Sequence, residues 1–434
     1  MGRNAVRIIC LVFSIFLICG IFSGCYDRRE IDELAYVIAI GFDKGITNVL
    51  KITLQIAVPK ALGGGGGSGG EGGQSTTITT VETSSIYAGL NMINNYVSKQ
   101  INLSHAKAIV FSEELAREGI QKYMHSLIRG KEFRGNMNIV VARGSAEDYI
   151  CSIKPILEIN PAKYYEMNYS SYKYTGFTSN TQLLDFYIQE ESTTEQAVAT
   201  LAGVGKYKSS QDFTLEVSTY KGKGEPYPYG GDFKAGDIPK TGEVKGEIMG
   251  LAVFDGDKMV GELDGKETTF YLMLNGKYNY SYVSIPDPMY KNDVVMLNMS
   301  QSRRPVRKVE IVDGKPKIKI KILLEADILS IQSGKNYDNV ENLPLLEITT
   351  EDFIKKGMLD FLNKTSKDFK SDICGFGRDV KGRFLTWKEW ENFKWLSRYK
   401  DSEFDLFVDL KIRRSGQIIR SIPMQTSGGE EADQ

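Results

Sequence analysis

Cys25 is the residue whose surroundings point most directly to a chemical modification. Arg3 and Arg7 give the chain a basic start, residues 8–22 are uncharged and apolar, and a Ser-Gly pair stands directly before the cysteine. A basic segment, an apolar segment and small residues are the three parts of a secretory signal peptide. The apolar run is shorter than the roughly 20 residues that cross a bilayer as a helix. We therefore expect residues 1–24 to be a signal peptide and the remaining chain to lie outside the cytoplasmic membrane.

The residues around Cys25 resemble the lipobox of bacterial lipoproteins, in which the thiol takes a diacylglyceryl group and the peptide is cut just before it. Phe22 stands where an aliphatic residue is usual in that pattern. The resemblance implies that Cys25 is lipidated, and two or more acyl chains hold a protein stably on a bilayer. Apart from this covalent diacylglycerol we expect no cofactor. An uncleaved signal anchor is the alternative.

The other residues that could bind a metal or attack a substrate are few. Two of the five cysteines leave with the signal peptide, so Cys151 and Cys374 are the remaining thiols. We expect two unrelated core cysteines, and a long-range disulfide is the alternative. Neither HExxH nor paired CxxC is present, so His105 and His125 are interpreted as structural or surface residues. The sequence predicts no catalytic, cofactor-binding or metal-ligating residue.

The composition argues against further classes of protein. With 54 basic and 55 acidic side chains the net charge is near zero, whereas a nucleic-acid-binding surface needs a basic surplus. The glycine run at residues 62–74 lacks the Lys-Ser/Thr ending of a phosphate-binding loop, and no Gly-x-Ser-x-Gly elbow occurs. We therefore expect no nucleic-acid partner and no enzyme. Residues 62–74 are predicted to be a flexible loop.

Hydrophobic periodicity predicts a mixed α+β or α/β architecture in the first half of the chain. Residues 34–40 read as a buried strand and residues 50–56 as a half-buried one, which together make a β-hairpin. Further strands are predicted at 106–111 and 138–142, alternating with helices. The residues expected to begin helices are Ser85, Ser112, Ser145, Asn160 and Ser179.

The second half returns to strands. These are predicted at residues 201–207, 248–254, 259–263, 294–299 and 406–412, with one long amphipathic helix at 350–369. Tyr278, Tyr280 and Tyr282 are expected on one strand face. Lys317, Lys319 and Lys321 alternate with isoleucines, which predicts a sheet with one core face and one wet face; a membrane-surface patch is the alternative. Trp387, Trp390 and Phe393 have helical spacing and are interpreted as a core face, with a partner-docking stripe as the alternative.

Six blocks together resemble the C subunit of spore nutrient-germinant receptors, the Ger(x)C lipoprotein family of endospore-forming bacteria. The start CYDRREI at residues 25–31 is similar to that family's CWDRREI, and residues 372–377 resemble its ADIFGFG with Cys374 at a Phe position. The other blocks are residues 41–44 with 59–62 before the glycine run, 105–107 with 111–120, 250–254 with 257–261, and 411–416. The family-motif residues that we interpret as structural are Gly250, Gly375, Phe376, Gly377, Arg413 and Gly416. At 375–377 we expect a turn, with glycines permitting positive φ and Phe376 in a core.

The resemblance implies an elongated protein of about three domains, each a mixed or antiparallel sheet with packed helices, and no catalytic activity. It implies a lipid anchor on the outer face of the spore inner membrane, beside the membrane-embedded subunits A and B. Nutrient binding in that family is assigned mainly to the B subunit, so a role in assembly or signalling is implied here. The expected division is 25–200, 201–290 and 291–420, with a disordered tail at 421–434 and the hairpin 34–57 able to pair with the middle domain.

Two other functions fit parts of the sequence. A solute-binding lipoprotein that delivers a small nutrient to a transporter would suit the length, the anchor and the 23 tyrosines. The glycine insertion and the lack of two similar α/β lobes argue against it. A lipid-anchored cell-wall hydrolase would need paired carboxylates or a metal centre in a cleft.

Overall fold

The computed structural model describes residues 2–21, 30–58, 75–155, 157, 158, 160–207, 230–290, 292–337, 339 and 341–414. Cys25, the glycine run at 62–74, Gly416 and the tail at 421–434 lie outside the described residues. In the expected signal peptide, Arg3–Ile21 is a helix, α1. The remaining described residues form two sheets with packed helices, which confirms the mixed α/β architecture.

The first sheet has nine strands. They are β1 (Leu34–Lys44), β2 (Leu50–Ala57), β3 (Thr76–Thr83), β4 (Gln100–Asn102), β5 (Ala108–Ser112), β6 (Asn138–Ala142), β7 (Val198–Val204), β8 (Gly246–Asp255) and β9 (Lys258–Leu263). The order is β3-β2-β1-β5-β6-β7-β8-β9, and β4 also pairs with β1. Strands β1, β5, β6 and β7 are parallel, whereas β2, β3, β8 and β9 extend the sheet as antiparallel strands at its two ends.

Helices cover both faces of this sheet. They are α2 (Ile86–Asn94), α3 (Glu113–Glu118), α4 (Gln121–Arg129), α5 (Ala146–Ser152), α6 (Pro161–Tyr169), α7 (Tyr172–Thr175) and α8 (Leu183–Glu190). The interpretation of residues 50–56 as a half-buried strand is therefore wrong. Thr53 and Gln55, whose side chains lie on the opposite face from Leu54, are also fully buried. There the Tyr165 hydroxyl donates to Gln55 Oε1 at 2.8 Å.

The boundary expected near residue 200 falls inside β7. Strand β7 pairs with β6 on one side and with β8 on the other, and β8 continues into β9. The hairpin 246–263, which was expected in a middle domain, thus belongs to the same sheet as the hairpin 34–57. Pairing along both edges of β7 keeps these strands in one unit.

The second sheet has five strands. They are β10 (Tyr280–Pro286), β11 (Val294–Ser300), β12 (Val306–Val312), β13 (Lys315–Ile331) and β14 (Glu403–Arg414). Its helices are α9 (Gly265–Leu274), α10 (Leu343–Asn363), α11 (Phe376–Lys381), α12 (Trp387–Phe393) and α13 (Trp395–Arg398). The alternation on β13 is confirmed, because Ile318, Ile320 and Ile322 are buried while the lysines between them face outward. The long helix starts seven residues earlier than expected and ends in a π turn at Lys364–Asp368.

Several local predictions can be compared with this structure. The side chains of Ser85, Ser112, Ser145 and Asn160 cap helices as expected. Ser179 does not, because residues 179–182 run extended beside β6, where Ile139 N–H donates to Thr181 C=O at 2.8 Å, and α8 begins only at Leu183. Tyr280 and Tyr282 are exposed together, whereas Tyr278 precedes the strand and is buried, with its hydroxyl donating to Met299 C=O.

The two sheets share one hydrophobic core. Val198, Leu251, Val253 and Leu263 of the first sheet pack in the same cluster as the inner faces of α9, α10 and the second sheet. Burial of apolar surface stabilises the folded state by about 25 cal/mol per Å². The relative position of the sheets is therefore set by packing as well as by chain connection.

Candidate functional site

The junction loop, residues 370–377, makes hydrogen bonds to elements of both sheets. Its centre is Asp372, whose side chain is fully buried. Asp372 Oδ1 accepts from Phe376 N–H at 3.2 Å, and Oδ2 accepts from Gly377 N–H and from the Trp395 indole N–H, both at 2.9 Å. One carboxyl group thus organises the start of α11 and fastens it to α13.

The junction loop also bonds to the first sheet. Asp372 C=O accepts from Gln196 N–H at 2.9 Å, and Ser371 Oγ donates to Phe254 C=O at 2.6 Å. Two further contacts join α11 and α12 to the segment before β7. Trp390 Nε1 donates to Thr193 Oγ1 at 2.9 Å, and Arg378 lies 3.3 Å from Glu195. The segment 193–196, which leads into β7, is therefore held by the loop and by α11 and α12.

The three family-motif residues of the loop have different structural requirements. Gly375 has a φ of +68°, in the left-handed region that favours glycine. Phe376 is fully buried, and its ring centroid lies 6.4 Å from that of Tyr399. At Gly377 there is no room for a side chain, because a Cβ would lie 2.4 Å from Thr194 C=O and 2.6 Å from the Trp395 ring.

A partly buried arginine, Arg307, lies beside the junction loop. Burial raises the pKa of Asp372 to about 6, although its three donors and the nearby Arg307 favour the ionised form. Arg307 Nη1 donates to Cys374 C=O at 2.8 Å, Nη2 lies 2.8 Å from Asp379, and the guanidinium sits 5.2 Å from the Phe376 ring centroid. Arg307 thereby joins β12 to the junction loop.

Glu190, at the end of α8, is a second carboxyl group with an unusual environment. Both of its carboxylate oxygens are buried without a hydrogen-bond partner. Burial, with added repulsion from Glu191 and Asp257, raises the pKa of Glu190 to about 7. A negative charge at a helix C-terminus is also unfavourable. The folded protein therefore holds this proton more tightly than the unfolded chain.

Glu190→Gln should stabilise the protein at high pH only. Because the pKa of Glu190 is higher in the folded state (about 7) than its ordinary value of 4.5, its unfavourable ionisation sets in as pH rises through that range. The variant should unfold with a free energy about 1 kcal/mol higher at pH 8 and nearly unchanged at pH 4.5, allowing for partial solvent exposure. Urea unfolding at both pH values measures this. Asp185→Asn, at an exposed position of the same helix, should show no such gain, and an equal gain at both pH values would contradict the assignment.

The remaining predicted residues lie elsewhere. Gly250 occupies a bulge of β8 with a φ of +91°, where a Cβ would lie 2.1 Å from Leu263 C=O. Arg413 is exposed near the end of β14 and pairs with Glu325 at 3.0 Å. The structure thus brings together Gly375, Phe376 and Gly377 and places Gly250 and Arg413 in separate strands.

The structure locates Cys151 and Cys374 and the two histidines. Cys151 and Cys374 are both free, and the interpretation of both as core residues is right for Cys374 but wrong for Cys151, which is exposed on α5. Burial raises the pKa of the Cys374 thiol well above its usual range. His105 and His125 are exposed. Within the described part of the chain no cluster of three or more His, Cys, Asp or Glu side chains could hold a metal ion.

The sequence did not identify the polar residues that hold the junction loop in place. Asp372 had a local signal, since it precedes two glycines at the start of a helix, but it was not singled out. Glu195, Gln196 and Arg307 had none, because each meets the loop from a distant part of the chain. Close sequence spacing identifies helix caps, whereas such long-range pairs become visible only after folding.

Comparison with known proteins gives a consistent result. The family model described as spore germination protein N-terminal domain matches residues 27–204, and the one described as spore germination B3/GerAC like, C-terminal, matches residues 249–416. Spore germination protein KC of Bacillus subtilis (strain 168) is 25% identical, over 98% of this chain and 98% of its own. Spore germination protein GerQC of Bacillus cereus is 21% identical, over 94% and 98%.

A solved structure shares the fold. The crystal structure of the GerBC protein matches with a TM-score of 0.50 and 15% identity, covering 86% of this chain and 96% of that chain. Among the residues that the structure describes, no helix combines the length and the apolar character needed to cross a membrane.

Proposed function

Because the chain belongs to the GerAC family of spore germination proteins, we propose that it is the C subunit of a nutrient-germinant receptor, needed for receptor assembly or signalling. The observation that carries this proposal is the family match, which extends over both sheets. The junction supports it, since the motif residues at 375–377 serve packing and helix geometry. A subunit of this kind holds its contact surfaces for the partners in a fixed relative position and catalyses no reaction.

The proposal includes a lipid anchor and membrane partners. Diacylglycerol on Cys25 would hold the protein on the outer face of the spore inner membrane, after removal of residues 1–24. The partners are the membrane-embedded A and B subunits of the receptor. Nutrient binding is left to the partners, and nucleic acid is not a partner, since the net charge is near zero.

Cys25→Ala tests the anchor and the function together. Without the thiol, no fatty-acid label should enter the protein, the precursor should remain uncut, and germination in one nutrient should be strongly reduced. The uncut precursor keeps the apolar residues 8–22, so it can remain at the membrane although it has no acyl chains. Metabolic labelling, the size of the protein on a gel and germination assays measure the three effects. Cys151→Ala, at the exposed free thiol, is the matched control and should behave as the wild type.

Two outcomes would contradict the proposal. Label that persists in Cys25→Ala would place the lipid elsewhere. Normal germination of spores lacking the whole protein, in every nutrient tested, would remove the receptor role.

A further inference from the structure

We propose that the loop between α11 and α12 is a second contact with the membrane, which enters the interface of an anionic bilayer. The tip comprises residues 382–388, which are this loop and the first two residues of α12. Two of its apolar side chains point into solvent: Leu385 is 94% exposed and Trp387 is 55% exposed. The inference rests on the lipid anchor of the proposed function, because only an anchored chain keeps the tip near a bilayer.

The tip is rigid enough to present these side chains. Thr386 and Glu389 form a capping box at the start of α12, and Glu389 also accepts from Leu385 N–H at 3.0 Å. Phe384 of the tip packs inward, with its ring centroid 5.4 Å from that of Trp390 and 5.1 Å from that of Phe393. Trp390 is buried, so the core interpretation of the aromatic spacing holds for Trp390 but is wrong for Trp387. The helix turns one tryptophan inward and leaves the other outside.

The charges beside Leu385 and Trp387 favour an anionic surface. Lys381, Arg383 and Lys388 flank them, and Lys381 Nζ lies 4.4 Å from the Trp387 ring centroid. The two nearby carboxylates have partners in the loop and helix, because Glu389 caps α12 and Glu391 accepts from the Trp387 indole N–H at 2.6 Å. Basic residues next to exposed apolar side chains bind anionic headgroups while the apolar groups enter the boundary region.

The bilayer is the occupant that these residues match best. Tryptophan prefers the membrane–water interface, where its ring is in an apolar layer and its N–H reaches polar groups. Two apolar side chains are too few for the buried centre of a stable protein interface, which uses about 800 Å² on each partner. A shallow membrane contact needs no such area, since the covalent lipid supplies most of the binding.

Another exposed apolar turn provides a matched control. Ile46 and Val49 are 89% and 56% exposed in the turn between β1 and β2. That turn is held by a carboxylate, since Glu82 accepts from the Ile46 N–H at 3.0 Å and the Thr47 N–H at 2.6 Å. The Thr47 hydroxyl also donates to Glu82. This bond, together with the two backbone N–H bonds, lowers the pKa of Glu82 to about 2, so it stays negative and disfavours an anionic surface.

Tryptophan fluorescence of the full lipidated protein in vesicles tests the tip. Trp387 is the exposed one of the three tryptophans, since Trp390 and Trp395 are buried. In vesicles containing phosphatidylglycerol, brominated phospholipid should quench the emission, and Trp387→Phe should abolish that quenching. Lys381→Glu with Lys388→Glu should reduce quenching about twofold or more. Ile46→Ser with Val49→Ser should leave it unchanged.

Each other outcome overturns the proposal. Quenching that survives in Trp387→Phe would come from another part of the molecule, and no quenching would leave the tip in water. Protection of Trp387 only when the membrane subunits are present would assign the tip to a protein partner. The lipid anchor is judged separately by fatty-acid labelling at Cys25, and the receptor role by germination, so failure of either is distinguishable from failure of the tip.

Discussion

Asp372→Ala should lower the free energy of unfolding by about 3–4 kcal/mol, because it leaves three buried donors without an acceptor. The donors are the N–H groups of Phe376 and Gly377 and the Trp395 indole. The variant also removes the group that fixes the loop whose carbonyl accepts from Gln196. Denaturant unfolding measures the loss, and amide hydrogen exchange should accelerate at Phe376, Gly377 and Gln196 ahead of the two sheets.

Asp368→Ala is the control for this change. Asp368 is exposed four residues earlier, in the π turn, so its removal should change stability by less than about 0.5 kcal/mol. Equal losses for the two variants would show that the Asp372 carboxyl is not what holds the junction. In spores, we expect Asp372→Ala to reduce germination even where enough protein remains membrane-bound.

Gly377→Ala should cost about 2–3 kcal/mol, since the added methyl group has no space. Its Cβ would lie 2.4 Å from Thr194 C=O and 2.6 Å from two atoms of the Trp395 ring. Overpacking of this kind moves backbone or side chains and typically costs 1–3 kcal/mol. Here the backbone of segment 193–196 would have to move away from α11, which would also strain the Arg378–Glu195 pair.

Gly382→Ala offers a comparison at the residue that follows the same helix. Gly382 has a φ of −64° at the end of α11, and a Cβ there would meet no atom within 4 Å. Alanine should therefore be neutral or slightly stabilising, because it restricts the unfolded chain. The thermal unfolding midpoints of Gly377→Ala and Gly382→Ala measure this difference in stability. Matching midpoints would contradict the close contact at Gly377.

Sequence patterns predicted the elements whose signal is local. The alternation of lysine and isoleucine in β13 and the serine caps at Ser85 and Ser112 depend on neighbours within four residues, and the structure has them as expected. The Gly375 turn was predicted for the same reason, since positive φ is a property of one residue. These features follow from the two periodicities of strand and helix and from single-residue backbone preferences.

Residue type alone could not say which face an element would bury when two faces were available. Thr53 and Gln55 look solvent-exposed in sequence, yet helices cover that side of β2. Trp387 and Trp390 have the spacing of one face, yet the short α12 buries only the second. In each case the outcome depends on what packs against the element from elsewhere in the chain.

By itself, the sequence determined the family, the local elements and the candidate lipidation residue, because motif order and short-range spacing are written along the chain. The tertiary structure decided that β7 to β9 complete the first sheet, and that Asp372 meets Gln196 and Trp395 in one buried site. The physical reason is that an edge strand needs another strand to pair with and a buried carboxyl needs hydrogen-bond donors, but the local sequence specifies neither partner. Which partner it finds depends on the edges and faces that folding brings together.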